Sequence, residues 1–215
     1  MKYSGAVHAP GPERGAKRKS KNNKIHEIMK EITVTVRKRS GWDRVLDAAR
    51  ITANKEPLLG QEPSEEFKRR MLITEHSPLR LLTFDITIFN IPYYAAMHLV
   101  RHKVGCEWFV GTQRSDRTGE DRNAKRQDAP VTLMLAANAA ALLAISRERM
   151  CDKADEITQE AWGEVIRAMY ATDRLLALYM QPKCSRLGFC PEKDGCGTAD
   201  QQFTIKLRRE LYEEK

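Results

Sequence analysis

Between Leu81 and Ile88 the chain alternates Phe84, Ile86 and Ile88 with Thr83, Asp85 and Thr87. Side chains of a strand point alternately to opposite faces, so this stretch predicts a strand with one buried and one polar face. A second strand is predicted over Ile32-Thr33-Val34-Thr35-Val36, β-branched throughout. The remaining apolar residues recur mostly at helical spacing. Val45, Leu46, Ala48, Ala49 and Ile51 predict a helix capped by Asp43 and stopped by Pro57 and Gly60. Ser64 predicts the cap of another helix, with Glu65 and Glu66 in its positive first turn and Phe67, Met71 and Leu72 on the buried face.

Further along, Asn90-Ile91-Pro92 predicts a helix start with proline in the first turn, running through Tyr94, Ala95 and Leu99. Gly111 to Asp128 is strongly polar and reads as a loop. Pro130 is expected to open a long Ala/Leu helix from about Val131 to Cys151. An amphipathic helix over about Lys153–Met180 would bury Ile157, Ala161, Val165, Met169 and Leu176. Beyond Pro182 come three cysteines, then an amphipathic tail with Phe203, Ile205, Leu207 and Leu211.

The 215 residues suffice for one well-buried domain, read here as residues 26–215 with a Cys-containing extension over 182–215. The formal charge is +8, but residues 1–25 hold seven Lys/Arg against one Glu, leaving the remainder at only +2. The basic excess therefore belongs to an arm with little to bury, expected to be disordered, and nucleic-acid contact is expected through that arm alone. The first residues carry no apolar stretch of a secretory leader, and the five cysteines suit reduced thiols or metal ligands, so a cytoplasmic protein is expected.

Arg101-His102-Lys103 ends the apolar run Ile91–Val100, and Thr112-Gln113-Arg114 and Ser115-Asp116-Arg117 follow shortly after. Hydroxyl and guanidinium donors so grouped suit an anion, phosphate above all. Asn138 and Arg149 are eleven residues apart, which on one continuous helix is about three turns and about 16 Å along one face. His98 and His102 share a helical spacing, but no Glu follows His98, so the zinc-protease motif is absent. Cys106 could add to a pyrimidine ring as a thiolate, although core packing suits it better. Cys184, Cys190 and Cys196 stand amid Gly and Pro with Cys151 as a fourth thiol, a set that could hold zinc or an iron–sulfur cluster.

The elements Ala48-Ala49-Arg50, His76-Ser77-Pro78-Leu79, the strand to Ile88, Arg101-His102-Lys103, Thr112-Gln113-Arg114, Asn138 with Arg149, and Ala154-x-x-Ile157 follow one another in a recognisable order. In order and approximate spacing they resemble the flavin-dependent thymidylate synthases, over about residues 30–170, in a divergent, phage-type form. The resemblance implies an α+β fold with a small antiparallel sheet packed with long helices, assembled as a homotetramer with active sites at subunit interfaces. It implies FAD as cofactor, NADPH and methylenetetrahydrofolate as co-substrates, and methylation of dUMP to dTMP.

Carried over by position, it assigns His76, Ser77, Arg101, His102, Lys103 and Asn138 to the flavin. It assigns His98, Thr112, Gln113, Arg114, Arg126 and Arg149 to the nucleotide, with Arg149 and Arg101 catalytic. The chain departs from the family at Lys103, where arginine is usual, at Thr112, which falls one residue late, and at Ala140, in place of a flavin-binding arginine. Two other readings are hydroxymethylation of dUMP or dCMP on the same scaffold, and a nucleic-acid-binding protein using the arm and a cysteine-bound metal.

Overall fold

A computed structural model of the chain describes residues 32–198. The basic arm and the amphipathic tail through Leu211 lie outside the described residues. Four strands form one antiparallel sheet: β1 (Thr33–Lys38), β2 (Thr83–Pro92), β3 (Cys106–Val110) and β4 (Pro130–Asn138), in the order β1-β2-β4-β3. Helix α1 (Trp42–Thr52) and helix α2 (Glu65–Thr74) follow β1, and a 3₁₀ turn over Ser77–Leu81 leads into β2. Helix α3 (Tyr93–Leu99) leaves β2, and the short α4 (Ser115–Thr118) lies in the polar loop. After β4 come α5 (Ala139–Arg149), α6 (Glu156–Thr172), α7 (Arg174–Tyr179) and α8 (Lys183–Leu187). The fold is α+β, and no helix among the described residues is long and apolar enough to cross a membrane.

The alternation along β2 does what its period demands. Phe84, Ile86 and Ile88 are buried, Ile86 is paired with Leu135 on β4, and Leu133 and Leu135 extend the same face. Each such side chain contributes about 1.5–3 kcal/mol when fully withdrawn from water. Helix α6 packs across β1 and β2 on this face, and its Ile157, Ala161, Trp162, Val165 and Met169 are buried there as their spacing requires. Trp162 donates its indole N–H to Ser146 Oγ at 2.9 Å, and that hydroxyl in turn donates to Leu142 O, so both buried polar groups are satisfied.

Several expectations fail, each for a local reason. Val131 to Asn138 is strand β4, not the first half of a helix: Val131, Leu133, Leu135 and Ala137 are buried at period two between outward-facing neighbours. Asn138 is consequently not on a helix face. It ends the strand and caps α5, its Oδ1 accepting from Ala141 N at 2.9 Å. The helix predicted from Asn90-Ile91-Pro92 through Leu99 is present but begins only at Tyr93, with Pro92 as its cap. The strand runs on to Pro92 through a register shift between Ile88 and Ile91, where Asn90 takes φ of 58°.

The helix expected over Lys153–Met180 is broken at Asp173, which caps α7 by accepting from Leu176 N. Asp43 is not a cap. Gly41 holds that position without a side-chain bond, and Asp43 lies in the first turn of α1. Ile51 is exposed on α1 rather than buried. Ser64 does cap α2, accepting from Phe67 N.

Asp173 is also the main polar tie of the core. One oxygen, Oδ2, accepts from the Trp42 indole and from the Lys38 ammonium, each at 2.8 Å, so α1, β1 and the α6–α7 joint meet on a single buried carboxylate.

Candidate functional site

The turn Arg101-His102-Lys103 follows directly on the end of α3 and is fixed from behind by β3. Trp108 donates its indole N–H to His102 O at 2.7 Å, and the Cys106 thiol donates to the same oxygen at 3.3 Å. Burial pushes the Cys106 thiol pKa up, so the group is a protonated donor in the core rather than a nucleophile. Two donors on one carbonyl hold the turn while its three side chains point elsewhere.

Three cavities meet at this turn. His102 and Arg149 line the first, of about 300 Å³. Lys103 lines the second, of about 420 Å³, with Thr112, Gln113, Arg114 and Trp108, and also the third, of about 400 Å³, with Asn138, Asp85 and Glu107. These volumes suit a mononucleotide or part of a larger cofactor. In the third cavity a Cβ on Gly105, whose φ is 72°, would come within 2.7 Å of Asn138 Nδ2, so only glycine lets the backbone pass that amide.

The closest contact between predicted site residues joins positions 47 apart in sequence. Arg149 Nε donates to His102 Nε2 at 3.0 Å. A guanidinium has no lone pair to accept, so His102 Nε2 must be the unprotonated nitrogen and the ring is neutral. Burial first, and the Arg149 charge second, lower the His102 pKa below its ordinary 6.5. Burial and then the neighbouring Arg101 charge lower that of Arg149 as well. The Arg149 guanidinium and a ring that resists protonation therefore share one cavity, with the Arg101 charge close enough to be felt there, an arrangement that an anion relieves.

The sign of the pH effect follows. Below the ordinary histidine pKa the unfolded chain binds a proton that folded His102 refuses, so stability is expected to fall as pH drops from about 7.5 towards about 5. Thermal melts across that range should show the loss, and His102→Gln should show less of it. An equal slope in both proteins would refute a depressed His102.

The other predicted residues are placed as follows. Thr112, Gln113 and Arg114 share the second cavity, where Thr112 Oγ1 accepts from Arg114 N, and Arg114 is forked onto Asp116. Gln113 Nε2 is buried and has no hydrogen-bond partner among the described residues. Arg126 is paired with Asp128 and largely exposed. His98 faces Thr158: that hydroxyl donates to Asp155, so it accepts from His98 Nδ1 at 3.2 Å.

His76 and Ser77 are exposed at the start of the 3₁₀ turn, and neither they, His98, Arg101 nor Arg126 line the three cavities. Tyr93, Met97 and Arg122 in the second cavity, and Arg39 in the third, were not anticipated. Only Arg122, one of several basic residues in a polar loop, carried a sequence signal.

No protein-family model matches the sequence, and no curated protein matches it. Solved structures do match in fold. Thymidylate Synthase X (ThyX) from Helicobacter pylori, solved with FAD and dUMP, superposes with a TM-score of 0.56 over 67% of this chain and 96% of that one, at 13% identity. A UMP/dUMP methylase, PolB, from Streptomyces cacaoi, bound with 5-Br dUMP, gives 0.53 over 65% of this chain and 90% of that one, also at 13% identity. At such identity the likeness establishes a shared fold.

Proposed function

We propose that the protein is an FAD-dependent enzyme that transfers a one-carbon unit to carbon 5 of a pyrimidine deoxynucleotide, methylating dUMP to dTMP with methylenetetrahydrofolate and NADPH. The observation that carries this reading is the Arg149–His102 contact, which brings the two most telling positions of the sequence into one cavity beside Arg101. The fold it shares with structures solved with dUMP or 5-Br dUMP supports the same substrate class.

The donor set fits a nucleotide. Gln113 has a buried amide nitrogen without a partner among the described residues, in the same cavity as Lys103 and Arg114. A buried donor left unpaired costs about 1–3 kcal/mol, a cost removed by a ligand acceptor such as a phosphate or carbonyl oxygen. Thr112 and Arg114 would take the phosphate, Arg114 exchanging its Asp116 partner for it.

The third cavity offers FAD a complementary edge. With Oδ1 of Asn138 committed to the α5 cap, its amide N–H₂ is what that side chain presents, beside the Lys103 ammonium. Lys103 and Asn138 would hold the flavin there, with His102 and Arg101 on the adjoining turn. Bound FAD would carry the hydride from NADPH that reduces the transferred carbon to a methyl group. Carbon 5 gains that carbon and loses its proton, and the charge that builds on the uracil ring meanwhile is met by the Arg149 guanidinium. Neutral His102 keeps Arg149 aimed, because its Nε2 is available as an acceptor only while unprotonated.

Purified protein is expected to bind FAD, visible as flavin absorbance, and to bind dUMP. With the folate and NADPH it should give a product whose mass gain is that of a methyl group rather than a hydroxymethyl group. Protein that takes up no flavin and binds no dUMP would sink the proposal.

A further inference from the structure

The first cavity continues away from Arg149 into a wall of sulfur. Cys151, Cys184, Cys190 and Cys196 all line it, brought together from the end of α5 and from the chain that follows Pro182. Two ties produce this convergence. Arg186 of α8 and Arg147 of α5 both pair with Glu75, which clamps the helix carrying Cys184 against α5. The far end of the loop returns to the same place, since Thr198 donates to Asp152, the neighbour of Cys151.

Between these ties, residues 188–197 form no helix or strand and bury little: Phe189 is 57% exposed and Cys196 is exposed. Gly195 passes Cys190 so closely that a Cβ would stand 3.3 Å from its sulfur. A short segment without apolar cover needs another source of order. Four thiols facing one space are a chemically sufficient one.

We propose that Cys151, Cys184, Cys190 and Cys196 form a four-thiolate metal centre that fastens the C-terminal loop over the first cavity. As placed, no three His, Cys, Asp or Glu side chains among the described residues grip a single ion. Zinc would draw the loop inward to Zn–S distances of about 2.3 Å, whereas a four-iron cluster bridges thiols that stand further apart. Arg147, Arg149, Lys153 and Lys183 line the same cavity with Glu148, Asp152 and Glu192, so the charged side chains around the thiols nearly balance. Cys184 lies within electrostatic reach of the other three thiols. Binding releases the thiol protons to solvent and changes no oxidation state for zinc. The centre stands independently of the nucleotide reading, because it needs only the sulfur atoms.

The test is elemental analysis of the full chain purified without chelator, with its visible spectrum after any flavin is removed. About one zinc per chain, or iron with matching inorganic sulfide and a broad visible absorption, is the expected result. For zinc, reconstitution with cobalt should add the intense visible bands of a tetrahedral thiolate site. Cys151→Ser and Cys196→Ser should each lower metal content or affinity at least tenfold, while Cys106→Ser keeps it. Should the variants fail to fold, release of metal from the wild-type chain on titrating its thiols with a mercurial reads the same ligation. Protein that carries no metal and takes up neither cobalt nor iron and sulfide overturns the proposal, as does finding these thiols paired in disulfides. Loss of metal with dUMP binding retained, or the reverse, separates this centre from the enzymatic site.

Discussion

Arg149→Ala is expected to lower kcat/KM for methylation of dUMP by about 10²–10³-fold, the loss typical when one preorganised donor is taken from a developing negative charge. The protein should remain folded. Arg149 is half-buried and its bond is to a neutral ring, so its removal costs about 1 kcal/mol, or about 2–4 °C for a chain of this size. Arg149→Lys is expected to recover little. An ammonium keeps the charge but has no Nε–H along the side chain to meet His102 Nε2, and no planar fork for a carbonyl edge. Steady-state kinetics, a dUMP binding isotherm and a thermal melt of each variant check the three parts of the claim. Wild-type turnover in Arg149→Ala would remove this residue from the mechanism.

Asp173→Ala should have the largest effect on stability. The carboxylate is 7% exposed and accepts from the Trp42 indole, the Lys38 ammonium and Leu176 N at once. Lys38 can swing into water and contributes little, being about a third exposed. The Trp42 N–H cannot, since that residue is 2% exposed, and α7 loses its cap as well. One stranded buried donor costs about 1–3 kcal/mol and a lost cap about 1, so a total near 3 kcal/mol and a melting temperature lower by about 6–12 °C are expected. Asp173→Asn should lie between, because its single oxygen can serve Trp42 or Leu176 but not both. A melt of Asp173→Ala within a degree of wild type would refute the account.

The same residue shows what the sequence could and could not disclose. Strands β1 and β2 were legible because β-branched residues and strict alternation coincide with clear breaks. The cap Ser64 and the buried spacing on α6 were legible for equally local reasons. Asp173 was not, because the apolar spacing of α6 carries on through Leu176, and the break depends on which distant donors the carboxylate finds. From Val131 to Ile145 the apolar run has no glycine or proline to mark where period two becomes period 3.6. The single punctuation is Asn138, a residue type that favours helix starts, and weighting that preference would have separated β4 from α5. Strand β3 carries no such signal, being five residues that mix Glu107 with Trp108 and Phe109.

The site divided in the same way. His102 and Arg149 come together, and Lys103 shares a cavity with Thr112, Gln113 and Arg114, because these residues are local in sequence or sit at the end of a buried element. His76, Ser77, His98 and Arg126 were assigned from position in the resemblance, and they lie outside the three cavities.

Helix α5 begins after Asn138 at one cavity and ends on Arg149 at another. Since each residue turns the helix by about 100°, adding or deleting one anywhere between them would swing Arg149 a quarter-turn or more away from His102. The polar loop from Gly111 to Asp128 can change length without moving either cavity's helical wall. Helix α5 is a gauge block: its eleven residues fix the span and the angle between Asn138 and Arg149.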